Sequence, residues 1–375
     1  MFQIQTLNKI SKVGTCRLDA AKYAIADAPE NPDAIMVRSA AMHDMEFGSN
    51  LLAIARAGAG VNNIPVDKCA EQGIVVFNTP GANANAVKEL VVAGLLLSSR
   101  KISEAMAWVP SLKEEGDNVG KLVEKGKSQF AGPEIKGKTL GIIGLGAIGA
   151  LVANVAIDLG MKVIGTDPFL SVGAALRLSP AVQVAKSADE VLAAADYLTL
   201  HVPCNADTKG FINAAAIAKM KDGARVLNFA RGELVNDADM IAALEAGKIA
   251  CYVTDFPTQD VLRMKNAVAI PHLGASTPES EVNCADMAAR ELRDYLEDGQ
   301  IRNSVNFPEI LLGHSEGVRV LIIHENEPGM VSAISAAIGA RKININNMLN
   351  KSRRDMAVTV LELDREPDDM LQTQL

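Results

Sequence analysis

Short apolar runs alternate with polar segments of helical character along residues 1–97. The runs at 2–7, 34–37, 51–55 and 74–77 read as strands, and Asp67 reads as the cap of a helix that stops at Gly73. Residues 85–108 are rich in Leu, Val and Ala with few breakers, and predict one long helix. The charged, glycine-containing stretch 113–127 predicts an exposed segment. From Thr139 the alternation is continuous, with strands expected at 139–143, 161–166, 197–202, 224–229, 249–254 and 267–270 and helices at 213–220 and 237–245. Ser187 and Glu190 have the spacing of a capping box. Residues 279–298 predict a further long helix that crosses back to the first lobe. At the end, 318–324, 330–341, 343–349 and 356–363 follow as strand, helix, strand, strand. That order is ferredoxin-like, and with only 366–375 remaining the usual last helix and strand look missing.

The stretch Lys138-Thr-Leu-Gly-Ile-Ile-Gly144-Leu-Gly146-Ala-Ile-Gly149 organises the middle of the chain. It reads as buried strand, tight turn and helix start. In G-x-G-x-x-G, Gly144 allows the turn, Gly146 lets a pyrophosphate approach the backbone, and Gly149 lets helix and strand pack closely. Ile148, Leu151, Val152, Val155 and Leu159 then recur at helical spacing, and Gly160 is a natural stop. Asp167 ends the next strand. An acid there accepts from adenosine ribose hydroxyls and repels a 2′-phosphate, so NAD is favoured over NADP. The fold class expected is α/β. A doubly wound Rossmann NAD domain occupies 98–280, a flavodoxin-like substrate domain 1–97 with 281–305, and a small ferredoxin-like module 316–375.

Composition narrows the function classes. The 375 residues carry a formal charge of −8, which argues against nucleic acid or an anionic membrane as main partner. No apolar run is long and clean enough to span a membrane, and no basic-then-apolar leader opens the chain. The five cysteines are scattered without zinc spacing, so no metal is expected, and reduced thiols fit a cytoplasmic protein.

The candidate chemistry lies at strand ends. Arg38 in Val37-Arg38-Ser39 and Arg56 in Arg56-Ala-Gly58-Ala59-Gly60 follow two strands of the first lobe. Arginines there suit a phosphate, and the amides around Ser39 and Gly58 to Gly60 suit a carboxylate. Behind the glycine turn, Arg231 can clamp a carboxylate bidentately and His272 can take a hydroxyl proton as hydride leaves carbon. Asp260 is the acid expected behind His272, where it would fix the tautomer and stabilise the imidazolium, and Asp255 can accept from the nicotinamide amide. Each has a structural alternative: Arg38, Arg56 or Arg231 as surface ion pairs, Asp260 as a cap for the turn at Val261, His272 as a strand-end core residue.

Six stretches together carry a family resemblance: Arg56-Ala-Gly-Ala-Gly-Val, Asn78-Thr-Pro-Gly-Ala-Asn, Gly144-Leu-Gly-Ala-Ile-Gly, Leu200-His-Val-Pro, Ala230-Arg-Gly-Glu-Leu-Val and Pro271-His-Leu-Gly-Ala-Ser-Thr. With Val37-Arg-Ser, the sequence resembles the D-isomer-specific 2-hydroxyacid dehydrogenase family and, within it, the phosphoglycerate branch. The resemblance implies an NAD-dependent oxidoreductase that converts 3-phospho-D-glycerate to 3-phosphohydroxypyruvate, the first step of phosphorylated serine biosynthesis. It implies Arg231 and His272 as catalytic and places Asp260 where the family has glutamate. It implies NAD contacts at Ile148, Gly149, Asp167, His201, Phe229, Ala230, Arg231, Asp255, His272, Gly274 and Ala275, and substrate contacts at Arg38, Arg56 and their flanking residues Ser39, Gly58, Ala59 and Gly60. Lys88 stands where the family carries a small residue.

The C-terminal stretch resembles an ACT domain. His324 and Asn326 match its effector loop and Asn344 a second contact, which implies L-serine as an effector. A homodimer or homotetramer is expected. The rival functions are the same chemistry on glyoxylate, hydroxypyruvate or D-lactate, and a non-catalytic NAD-sensing interaction protein.

Overall fold

The computed structural model describes residues 1–315, 317–368 and 371. The chain divides into two compact units, Met1–Asn83 with Pro278–Leu375, and Ala84–Thr277.

The first unit contains β1 (Phe2–Leu7), β2 (Tyr23–Ala26), β3 (Ala34–Val37), β4 (Ala53–Arg56) and β5 (Val75–Phe77), a parallel sheet in the order β2-β1-β3-β4-β5. The order reverses between β1 and β3, as in flavodoxin-like sheets. Every residue of β3, Ala-Ile-Met-Val, is buried, because both faces of the sheet are covered. One face packs on Cys284, Ala288 and Leu292 of helix Pro278–Asp298, and the other on Met42, Ile64 and Cys69. That helix meets the short helix Lys12–Thr15 so closely that a Cβ on Gly14 would lie 2.4 Å from the Ala285 carbonyl oxygen. Strand β2 was not expected: only Tyr23 of its four residues is buried, and it pairs on one side alone, so its pattern carries little signal. Asp67 is not the cap. Pro65 holds that place before helix Val66–Glu71, and Asp67 lies in the first turn, where its charge still meets the positive end of the helix.

The end of this unit holds β13 (Val318–Glu325), helix Met330–Ala340, β14 (Ile345–Arg353) and β15 (Met356–Leu363), after the strands β6 to β12 given below. They form an antiparallel sheet in the order β13-β15-β14, which fits a ferredoxin-like module. Central β15 sends Val358 and Val360 into the core of the five-stranded sheet and Leu361 and Leu363 against Ile334 and Ile338. Of the expected remainder 366–375, residues 369–370 and 372–375 lie outside the described residues, as does Glu316.

The second unit contains β6 (Thr139–Ile143), β7 (Lys162–Thr166), β8 (Gln183–Val184), β9 (Tyr197–Leu200), β10 (Ala224–Asn228), β11 (Ile249–Thr254) and β12 (Ala267–Ala269). All pair in parallel, in the order β12-β11-β10-β9-β6-β7-β8, so this sheet reverses between β6 and β9. The two exposed residues of β8 gave no apolar run to read. The helix expected over 85–108 is two helices, Ala84–Ser99 and Ile102–Trp108. It breaks where the returning chain crosses it: a Cβ on Gly132 would lie 2.0 Å from the Ser99 carbonyl oxygen. The 113–127 stretch is mainly exposed, and it folds into a 3-10 turn, Gly116–Asn118, and a helix, Val119–Gly126. Ser187 caps helix Ala188–Ala194, accepting from the Glu190 amide at 3.3 Å. The Glu190 carboxylate accepts from Lys186 N–H instead of Ser187, so half of the capping box forms.

Candidate active site

The glycine turn sits at the point where the seven-stranded sheet reverses. Gly144 follows β6 with φ +95°, a conformation that strains any residue with a Cβ. Its amide donates to the Thr166 carbonyl at 2.9 Å. A Cβ on Gly144 would lie 2.5 Å from the His201 carbonyl oxygen, and one on Gly149 would lie 1.9 Å from the Gly144 carbonyl oxygen. A Cβ on Gly146 would meet nothing within 4 Å. Helix Ala147–Asp158 therefore begins beside open space, with no side chain among the described residues capping its first amides. Such amides, at the positive end of a helix of this length, suit a pyrophosphate.

Asp167 closes β7. Its Oδ2 accepts from Leu145 N–H at 2.9 Å and its Oδ1 from Phe169 N–H at 2.9 Å. Each oxygen keeps a lone pair for a ribose hydroxyl. His201 follows β9, its amide bonded to the Ile143 carbonyl at 2.7 Å and its Nε2 3.1 Å from Thr199 Oγ1. Burial drives its pKa down to about 3, so His201 is neutral and adds no positive charge here. Open Gly146, the uncapped helix and the oriented Asp167 fit NAD.

Phe229, Ala230 and Arg231 follow β10. Buried Asn228, which sequence reasoning passed over, shapes this turn: its Oδ1 accepts from Ala230 N–H at 3.2 Å and its Nδ2 donates to the Arg231 carbonyl at 2.8 Å. An asparagine at a strand end is itself a turn signal. Phe229 is buried against Gly94, where a Cβ would come within 2.8 Å of its ring. Arg231 donates to the Ala230 carbonyl at 2.6 Å.

Beyond β11 and β12 lie Asp255 and His272. The rings of Phe256 and His272 sit 4.7 Å apart, tilted by 51°. Asp255 is fully buried, and its Oδ2 accepts from Gly274 N–H at 3.3 Å. A pocket of about 740 Å³ is lined by Gly232, Glu233, Asn236, Asp255, Phe256 and His272, among others. Asp260 does not line it. That carboxylate is 60% exposed and lies 4.0 Å from Arg263, before a short 3-10 turn that it does not cap. Ala275 is half-buried just after Gly274.

In the first unit, Arg38 pairs with Glu281 at 2.8 Å, the ion-pair alternative for that residue. The amides of Ser39 and Ala40 both donate to Asn8 Oδ1, at 2.9 and 2.6 Å. The Ser39 amide expected to meet a carboxylate is thus already engaged, and the Gly58 amide donates to the Arg56 carbonyl at 2.8 Å. The Arg56 guanidinium lies on Gly58, where a Cβ would sit 1.6 Å from it. Ala59 is held by its carbonyl, which accepts from Asn78 Nδ2 at 2.6 Å, and Gly60 follows it, half-buried.

The expected effector residues are internally bonded. His324 Nε2 lies 2.9 Å from Thr359 Oγ1, Asn326 Nδ2 donates to the Arg354 carbonyl at 3.2 Å, and Asn344 Nδ2 donates to Asn346 Oδ1 at 2.9 Å. Lys88 donates to Asn85 Oδ1 at 2.6 Å. No described helix is long and apolar enough to cross a membrane, and no three His, Cys, Asp or Glu among the described residues gather as a metal site.

Comparison with known proteins gives the lineage of this arrangement. The family described as "D-isomer specific 2-hydroxyacid dehydrogenase, NAD binding domain" matches residues 92–274. A D-3-phosphoglycerate dehydrogenase of Synechocystis is 36% identical over 314 residues, covering 81% of this chain and 54% of that protein. One of Haemophilus influenzae is 32% identical over 346 residues, covering 88% and 80%. The chain thus spans about half the length of several curated relatives. Among solved structures, an NAD+-bound 3-phosphoglycerate dehydrogenase of Entamoeba histolytica is similar with a TM-score of 0.63 and 26% identity, over 81% of this chain and 98% of that one.

Proposed function

The chain belongs to the D-isomer-specific 2-hydroxyacid dehydrogenase family, and on that premise we propose that it oxidises 3-phospho-D-glycerate to 3-phosphohydroxypyruvate with NAD as hydride acceptor. The helix Ala147–Asp158 holds the pyrophosphate and Asp167 the adenosine ribose. Arg231, fixed by Asn228, holds the substrate carboxylate with its planar fork. His272 takes the hydroxyl proton as hydride leaves the same carbon, and returns it in the reverse direction. Bound NAD would supply the hydride acceptor; Arg231 would orient the substrate and His272 would hold the proton it releases. Arg38 and Arg56, at the carboxyl ends of β3 and β4, take the phosphate.

The observation that carries this reading is the grouping of His272 with buried Asp255 at the ends of β11 and β12, in the unit that holds the open glycine turn. The phosphate assignment is supported by the names of the relatives and the two strand-end arginines. A second reading, an unphosphorylated 2-hydroxy acid, is favoured by one contact: Arg38 is already neutralised by Glu281. L-serine as effector and self-association belong to the same proposal, with His324, Asn326 and Asn344 as the residues to vary.

The test compares kcat/KM for NADH oxidation with 3-phosphohydroxypyruvate and with hydroxypyruvate, in the unaltered protein and in R38A and R56A. The proposal expects a strong preference for the phosphorylated acid that collapses in both variants. Equal values for the two acids, unchanged by the substitutions, would leave the second reading.

A further inference from the structure

The chain leaves β1 where the strand order of the five-stranded sheet reverses, and one side chain there closes the neighbouring turn. Resting on the dehydrogenase reading above, we infer that Asn8 is the positioning residue for the Arg38-Ser39 turn and, through that turn, sets the preference for a phosphorylated acid. Strands β1 and β3 are parallel neighbours, with Leu7 opposite Val37. The next residues, Asn8 and Arg38, therefore emerge side by side at the carboxyl ends of both strands, where open α/β sheets bind their ligands. Asn8 has φ 68°, a left-handed conformation that asparagine tolerates better than most residues. From there its Oδ1 accepts from two successive amides, Ser39 N–H at 2.9 Å and Ala40 N–H at 2.6 Å. The far side of the turn is held by Asn63, whose Nδ2 donates to the Ala40 carbonyl at 2.8 Å and whose carbonyl accepts from Met42 N–H at 2.9 Å.

Both amides are taken by a neutral oxygen of the chain itself. An anion at this turn therefore depends on the Arg38 guanidinium, which a phosphate must draw from Glu281, its ion-pair partner at 2.8 Å. With the backbone pinned on both sides of Ala40, that guanidinium swings from a fixed base, and less conformational freedom is lost when it grips a ligand. An Asn8→Asp change would leave an acceptor for the same amides but set a negative charge beside the turn, opposing a phosphate. Asparagine supplies the geometry without that charge. An unphosphorylated 2-hydroxy acid, whose carboxylate falls to Arg231, gains nothing from the turn.

The experiment reads the turn and its use separately. Arg38-Ser39 is the one Arg-Ser pair in the sequence, so labelling with carbonyl-13C arginine and 15N serine isolates the Ser39 amide. Its exchange with solvent is followed in the unaltered chain, in N8G and in N8D. N8G keeps the backbone conformation and loses the acceptor, whereas N8D keeps both and adds a charge. The Ser39 amide is expected to exchange about tenfold faster in N8G and at the original rate in N8D. A Ser39 amide as protected in N8G as in the unaltered chain overturns the inference. The kinetic arm reads the ratio of kcat/KM for 3-phosphohydroxypyruvate to that for hydroxypyruvate. This ratio is expected to fall about tenfold in N8G, through KM for the phosphorylated acid, and in N8D to fall at low salt and recover at high salt. Values that fall together for both acids, with the ratio held, would make Asn8 a structural residue only and overturn the inference. Should N8G fail to fold, N8D decides: a ratio at low salt equal to that of the unaltered protein overturns it. An unaltered protein without preference for the phosphorylated acid would count against the proposed function and remove the specificity half of the inference, while the Ser39 exchange rates decide the half that concerns the turn.

Discussion

The strand order of each parallel sheet reverses at one point, and the two points are treated in opposite ways. In the five-stranded sheet the chain leaves β1 at Asn8, whose left-handed backbone (φ 68°) carries its side-chain oxygen onto the amides of Ser39 and Ala40. Beside it, Arg38 is answered by Glu281, and a terminal nitrogen of Arg56 lies against Gly58. In the seven-stranded sheet the chain leaves β6 at Gly144, the space over Gly146 is open, and the helix that follows has no side-chain cap. The first crevice satisfies its donors with the chain's own oxygens. The second holds its amides in reserve for an anion from outside. Unused donors on a rigid turn are therefore a stronger sign of a ligand site than arginines, which find partners within the chain.

The contrast can be broken most severely at the glycine turn. G149A would drive a methyl group into the Gly144 carbonyl, and G144A would add left-handed strain to a clash with His201. Each is expected to cost about 3 kcal/mol in NADH affinity, or roughly 100-fold, read by fluorescence titration with circular dichroism as the control for folding. R231K keeps the charge and loses the planar fork. It should lower kcat/KM by roughly 100-fold at the 2-oxo acid, chiefly through carboxylate binding.

A subtler test lies in the first unit. Glu291 is buried on helix Pro278–Asp298, with Oε1 accepting from Asn303 Nδ2 at 2.7 Å and Oε2 without a partner among the described residues. Burial pushes its pKa up to about 8. The folded protein thus keeps this proton at pH values where the unfolded chain, with a carboxyl near ~4.3, has lost it. The stabilisation is complete below the unfolded value and is lost as pH rises toward the folded one. E291Q, which mimics the protonated form, should match the unaltered protein near pH 5 and exceed its stability by on the order of 3 kcal/mol at pH 9. Thermal melts across that range would show the slope disappearing in the variant. The smallest effect is expected from E281Q, which frees Arg38: KM for a phosphorylated substrate should fall about threefold, more at low salt than at high, as for a single exposed ion pair.

The positions of the glycine turn and of Asp167 and most strands of both sheets were legible in the sequence because their local geometry dictates residue type at fixed spacing. Gly144 needs its positive φ, and β3, β6 and β9 need apolar residues on both faces. Other features depend on partners distant along the chain. Nothing near Arg38 announces Glu281, and nothing near Ser39 announces that Asn8 will take its amide. The helix ends at Ser99 where Gly132 approaches its carbonyl, a contact from a distant part of the chain. The family resemblance points to Asp260, whereas the buried carboxylate is Asp255, at the end of β11 beside β12, a neighbourhood that the order of residues along the chain does not register. Asn8 and Asn228 were overlooked as positioning residues although both are asparagines at strand ends, the one local signal they carried.

The central claim is that the reversal point of the seven-stranded sheet is a ready cradle for NAD. Calorimetric titration of the purified chain with NADH and with NADPH, without substrate, tests it directly. Saturable binding of NADH at one site per chain is expected, at least about tenfold tighter than NADPH because Asp167 opposes the 2′-phosphate, and weakened roughly 100-fold in G149A. No binding of either, or equal binding of both with G149A unaffected, would contradict it.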